Sequence, residues 1–216
     1  MNCKVIQTGS RGNAVIYNNV LVDCGVPFSL LKPYVEQIDF VCLTHIHKDH
    51  FNKNSLINLH FAKPSIRFLC PEWLEDRMKS IGLNPFVIEL NEPAEFGNVI
   101  VSPFLLYHDV YNCGWRIMFD YNFRIFHATD TAHLDGIHAI EYDVYAIEFN
   151  YDEEEYAQIV EEKRSKGEYC YEEGAMNSHL SFQQAQEFID KYARNDSIII
   201  KLHMSSRYKE NNEQPD

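Results

Sequence analysis

Strands and helices alternate along this chain, and the alternation predicts an α/β fold. Two further observations narrow it. Several apolar strand segments lie too close together for parallel crossovers, and helical patterns punctuate both halves of the sequence. Mixed sheets with helices on the outside, an αββα sandwich, are the expected architecture. The 216 residues suffice for one domain with a real core. That domain is expected over 1–208, with a polar, fraying tail over 209–216.

The first segments, 4–7, 14–17 and 20–22, are short and apolar. The turn signals Gly9-Ser10-Arg11-Gly12-Asn13 and Asn18-Asn19 separate them, so they read as strands. Residues 30–38 have a helical pattern with Ser29 as N-cap. Residues 40–43 form a buried strand. A helix is expected over 55–61, a strand over 66–69, and a helix from Pro71 to about 79. The middle is strand-rich: 86–88, 99–106, 115–120, 123–127 and 144–149. Asp152 with Glu155, and Ser181 with Gln184, have the spacing of capping boxes. Phe182, Ala185, Phe188, Ile189 and Tyr192 then share one helical face. Residues 198–202 form the last buried strand.

Composition sets outer limits. Hydrophobic content is 45% and charged content 24%, as in soluble globular proteins. No apolar run reaches the ~20 residues of a bilayer span, and the opening MNCKVIQTGS has no extended apolar stretch of a secretory leader. The six cysteines are scattered without a CxxC pair, so buried thiols in a reducing, cytoplasmic setting are expected. A net charge of −13 disfavours long polyanions unless a basic patch or bound cations reverse the field.

The chemistry concentrates in Val41 to Phe51, VCLTHIHKDHF. His45 and His47, two apart in extended backbone, face one side. Asp49 and His50 address a neighbouring point after a bend. Such donors suit zinc, and less well manganese or iron. One loop cannot close two metal sites. His108, Asp130 and His203 each stand at the exit of an apolar strand, where rigid neighbours can hold a ligand.

THIHKDH resembles the HxHxDH signature of the metallo-β-lactamase superfamily. GSRGN, LVDCG, YHD, ATDT, IEFNYD, NSHLS and KLHMSSRY extend the likeness over nearly the whole chain. The last two segments are similar to those of ribonuclease Z-type phosphodiesterases and their exonuclease relatives. The resemblance implies an αββα sandwich with two Zn²⁺ ions, or Mn²⁺ in their place. His45, His47 and His108 would hold the first and Asp49, His50 and His203 the second, with Asp130 bridging. It also implies a catalytic, non-ligand histidine at His179, which stabilises the transition state or protonates the leaving oxygen. Asp49 would double as proton acceptor. Glu148 is expected to orient a ligand or His179, and Asp109 to orient His108.

The other histidines read as structural. His60 lies on a helix, His127 within a strand, and His133 and His138 in a loop near Asp130, with His133 in reach of substrate. Tyr107 and Tyr111 are candidates to stack on a base, whereas Trp115 reads as core. The charged stretch 161–174 reads as a lid or a plain loop. A gripping arm for tRNA is missing from the pattern, and no Lys/Arg stripe is present. The expected substrate is therefore a cyclic nucleotide or similar small cyclic phosphodiester, including the immune signals that phage-encoded relatives remove. The alternatives are a nuclease of the 5′→3′ exonuclease or ribonuclease Z type, and a non-enzymatic metal-binding protein. A homodimer is expected from the relatives.

Overall fold

The computed structural model describes residues 2–209. The tail expected beyond them lies outside the described residues. The elements are β1 (Cys3–Gln7), β2 (Ala14–Tyr17), β3 (Val20–Val22), α1 (Phe28–Leu31), β4 (Phe40–Cys42), α2 (Lys53–Ala62), β5 (Arg67–Cys70), α3 (Glu75–Ser80), β6 (Phe86–Val87), β7 (Ala94–Phe96) and β8 (Val99–Leu106). They continue with β9 (Asn112–Phe119), β10 (Phe123–Ala128), β11 (Val144–Glu148), α4 (Glu153–Lys166), α5 (Tyr171–Met176), α6 (Phe182–Tyr192), β12 (Ile198–Leu202) and α7 (Ser206–Lys209). Two six-stranded sheets result, ordered β1-β2-β3-β4-β5-β6 and β12-β11-β10-β9-β8-β7. Both are mixed and have flanking helices, as the pattern predicted. Among the described residues no helix is long and apolar enough to cross a membrane.

The chain divides into two compact units. The first runs to Glu95 and adds Val101–Phe104; the second takes Phe96–Ile100 and the chain from Leu105. In the first unit β1 and β2 pair antiparallel, as do β2 and β3, while β3, β4 and β5 run parallel. Every residue of β3 and β4 is buried, as parallel strands covered on both faces require. Leu21, Val41, Leu56, Leu59, Phe68 and Met78 belong to this unit's core. In the second unit β10, β11 and β12 run parallel and β9 pairs antiparallel to β10. Helix α6 buries Ala185, Phe188 and Ile189, the centre of the face read from the sequence. Its capping box is complete: Ser181 accepts from the Gln184 N–H, and Gln184 returns the bond. Such a cap contributes ~1 kcal/mol.

Four local expectations change. Pro27, not Ser29, caps α1, and Lys32–Gln37 continues as a 3₁₀ helix because Pro33 sits at its start. Asp152 caps α4 through the Glu155 N–H, but its own N–H donates to the Tyr208 hydroxyl, so the second half of that box is replaced. The stretch 161–174 is mostly helical, spanning the end of α4 and most of α5. The buried Glu172 carboxylate binds Lys163 across them at 2.7 Å. Cys24, Cys42, Cys70 and Cys113 are buried, whereas Cys3 is exposed.

Candidate metal centre

Parallel strands deliver polar residues at their carboxyl ends, where open α/β sheets place their ligands. In the first unit the β3–β4 register pairs Val22 with Cys42. Asp23 therefore leaves β3 beside Thr44. Its Oδ1 accepts from the Thr44 N–H at 3.0 Å and hydroxyl at 2.9 Å, and its Oδ2 meets His50 Nδ1 at 2.6 Å. Burial pushes the Asp23 carboxyl up, opposed by the His50 charge and these hydrogen bonds. The His45 ring lies 4.8 Å from His47 and 4.1 Å from His50, centroid to centroid. Asp49 Oδ2 stands 3.7 Å from His50 Nε2. All four residues of the predicted loop are thus gathered, with the rings of His47 and His50 both near that of His45.

The backbone around Gly25 holds this loop. The Asp49 carbonyl accepts from the Asn13 N–H at 2.6 Å, and the Cys24 N–H donates to the His50 carbonyl at 3.0 Å. A β-carbon at Gly25 would fall inside the Asp49 carbonyl. GSRGN and LVDCG are therefore the seat of the histidine loop. Asn13 Nδ2 also reaches His50 Nε2 at 2.8 Å.

In the second unit the parallel register pairs Ala128 with Ile147 and Glu148 with Leu202. Asp130, Glu148 and His203 consequently leave three neighbouring strands at one edge. One donor atom each from Asp130, Glu148, His179 and His203 lies within 4.8 Å of the others. Glu148 is fully buried and organises the group. Its Oε1 faces His179 Nδ1 at 2.7 Å, His203 Nδ1 at 3.0 Å and Asn150 Nδ2 at 3.2 Å. Its Oε2 accepts the Thr131 and Leu180 N–H groups at 3.1 and 3.2 Å. Burial would raise the Glu148 pKa, but the His179 charge and these donors outweigh it and hold the carboxyl below its ordinary value. Burial likewise opposes protonation of His179, and the Glu148 charge and hydrogen bond with the Asp130 charge reverse it, so the imidazole is held above its ordinary value. Asp130 Oδ1 lies 3.3 Å from both His179 Nδ1 and His203 Nε2.

His108 follows β8 and sends Nδ1 to the Ser178 carbonyl at 2.8 Å, with its ring 5.2 Å from that of His179. Burial pushes its pKa down against the Asp130 charge. Asp109 meets Nε2 at 3.1 Å, not Nδ1, so it is the Ser178 carbonyl that orients this ring. Trp115 is fully buried, and His127 is buried within β10. Asp23, Asp130 and His203 all have positive φ, 60°, 58° and 49°. Left-handed backbone in non-glycine residues marks constrained sites.

The donor set fits metal binding on tautomer grounds. A ligating histidine keeps one ring N–H on a protein acceptor and offers the other nitrogen's lone pair. His50, His108 and His203 each place Nδ1 on an acceptor: Asp23, the Ser178 carbonyl and Glu148. Nε2 is then the nitrogen that each of the three would offer to a metal. Sequence reading gave Asp23 no role. The signal was there, since a carboxylate after the apolar Val20-Leu21-Val22 obeys the same rule that singled out Asp130.

A fold of two mixed sheets with strand-end histidines and carboxylates defines a class, and the chain belongs to it: the family described as Beta-lactamase superfamily domain matches residues 18–204. The fold is similar to that of YhfI, a metallo-β-lactamase fold protein from Bacillus subtilis, with 17% identity over 94% of this chain and 85% of that one and a TM-score of 0.69. It is similar to human tRNase Z, short form, at 18% identity over 97% of this chain and 94% of that one, TM-score 0.70. A diphosphatase of the PhnP family aligns at 16% identity over 94% and 77%, TM-score 0.55. No curated protein matches by sequence.

Proposed function

We propose that the chain is a dinuclear-metal phosphodiesterase whose preferred substrate is a cyclic nucleotide or similar small cyclic phosphodiester. The observation that carries this reading is Glu148, a buried carboxylate with one oxygen facing His179 and His203. His45, His47 and His108 would hold one divalent ion, and Asp49, His50 and His203 the other, with Asp130 shared; Zn²⁺ suits this nitrogen-rich set. When bound, the ions supply Lewis-acid charge to the phosphoryl oxygens and lower the pKa of an attacking water. The chain's own residues do the rest. Glu148 holds His179 through Nδ1, which directs the Nε2–H outward as the donor to the departing oxygen. The charge of Glu148 keeps that proton in place until transfer. Asp49, partly buried beside His50, takes the proton of the attacking water.

Metal-loaded protein should hydrolyse bis-p-nitrophenyl phosphate, and His179→Ala should lose at least ~100-fold in kcat. Full turnover by that variant would remove His179 from the mechanism. A panel of 2′,3′- and 3′,5′-cyclic mononucleotides, linear dinucleotides and DNA then tests the substrate, and consumption of long DNA alone would make the chain a nuclease instead.

A further inference from the structure

We infer that Tyr107 and His133 form a stacking platform for a nucleobase. The inference deepens the phosphodiesterase reading and rests on it for the place of the phosphate. The two rings stack with centroids 4.1 Å apart and planes 22° apart. Neither is consumed by the core: Tyr107 is 43% exposed and the His133 side chain 36%. Yet the pair is fixed from below. The Tyr107 N–H donates to Thr131 Oγ1 at 3.0 Å, the Ala132 N–H donates to the Tyr107 carbonyl at 2.7 Å, and the Thr131 hydroxyl donates to the His133 carbonyl at 2.8 Å.

The same two short segments carry proposed ligands. Tyr107 immediately precedes His108, and Thr131 immediately follows Asp130. An exposed aromatic face, ordered before any ligand arrives, binds a flat partner at little entropic cost. Bases stack on such faces whatever their identity. His133 also has a polar edge. Its Nδ1 lies 3.3 Å from the Asp135 N–H and 3.5 Å from the Asp135 carboxylate, and its Nε2 forms the rest of that edge. His133 further lines a recess of about 180 Å³ with Leu180, Gln184, Glu187 and Lys191, so acceptors and donors for a base edge stand next to the stack. Leu180 follows His179 directly, which ties the recess to the proposed proton donor.

Binding separates the platform from catalysis. Adenosine 5′-monophosphate and ribose 5-phosphate are titrated calorimetrically into the full chain. The nucleotide should bind about tenfold more tightly than the sugar phosphate. That ratio should fall toward one in Tyr107→Ala and in His133→Ala, and survive in Tyr107→Phe, which keeps the ring. Equal binding of the two probes by the unaltered chain, no nucleotide binding, or a ratio unmoved in both alanine variants would overturn the platform. A chain that prefers the nucleotide yet hydrolyses no phosphodiester would sink the catalytic reading and leave the platform standing.

Discussion

The two units solve one problem in opposite ways. In the first, His45, His47, Asp49 and His50 are close in sequence, and backbone fit seats their loop: Gly25 leaves room for the Asp49 carbonyl, and Asn13 and Cys24 hydrogen-bond to the turn. In the second, Asp130, His179 and His203 are up to 73 residues apart; the buried Glu148 carboxylate joins the two histidines, and Asp130 lies against both. The local cluster takes most of its seat from backbone fit, with the Asp23 carboxylate holding only His50 of its members, whereas the dispersed one is tied chiefly by the Glu148 carboxylate. The two units should therefore fail differently when each device is removed.

The largest effect should come from Glu148→Gln. The amide keeps the shape but brings two N–H donors into a site where both oxygens already accept hydrogen bonds. Breaking a buried charge network of this kind costs ~3–5 kcal/mol. A urea titration should show the midpoint falling steeply, and metal uptake measured by elemental analysis should fall with it. An unchanged midpoint would mean that the charge of Glu148 does not organise the cluster.

Gly25→Ala should come next, at ~2–3 kcal/mol, because the backbone of the histidine loop must move to admit a methyl group. Gly167→Ala is the matched control. Gly167 has left-handed backbone, at φ 65°, which Gly25 does not, but a β-carbon there meets nothing within 4 Å, so only the ~1 kcal/mol of left-handed strain applies. Thermal melts of the two variants should separate clearly. If they coincide, close approach at Gly25 is not what seats the loop.

The contrast between the units also explains what was legible in advance. HIHKDH declares itself because its donors are neighbours in sequence. His108, Asp130 and His203 were singled out because each ends an apolar strand, and the parallel register of β10, β11 and β12 accounts for two of them sharing an edge. Asp23 obeys the same rule but was passed over, since a single aspartate in LVDCG has no partner nearby in the sequence. Its partner His50 lies 27 residues on, and only the β3–β4 pairing brings them together. The start of α1 was misplaced because Ser29 looks like a cap, whereas Pro27 precedes the first turn. Helix α5 escaped notice because six residues around Gly174 carry no apolar period. Strand periodicity survives in one sequence; pairings between distant strands do not.

The smallest effect should appear at the amino ends of the same parallel strands. There Asp143 precedes β11 and accepts the Arg124 N–H at 2.7 Å and Arg194 Nη2 at 2.6 Å. Like Glu148 it is a carboxylate joining separate segments, but it is partly exposed and distant in register from the carboxyl ends. Burial would raise its pKa; the Arg124 N–H and the Arg194 hydrogen bond and charge prevail and hold it below the ordinary 3.8. A depressed carboxylate stabilises the fold fully above its unfolded pKa, and the contribution is lost as pH falls through the folded value. Asp143→Asn should therefore cost ~1 kcal/mol at pH 7, the upper range for a partly exposed pair. The difference from the unaltered chain should shrink below about pH 4 and close in stronger acid. Metal uptake at pH 7 should not change. If it falls as in Glu148→Gln, the two ends of these strands are coupled, and a carboxylate's place along the strand does not decide whether it serves the fold or the metal.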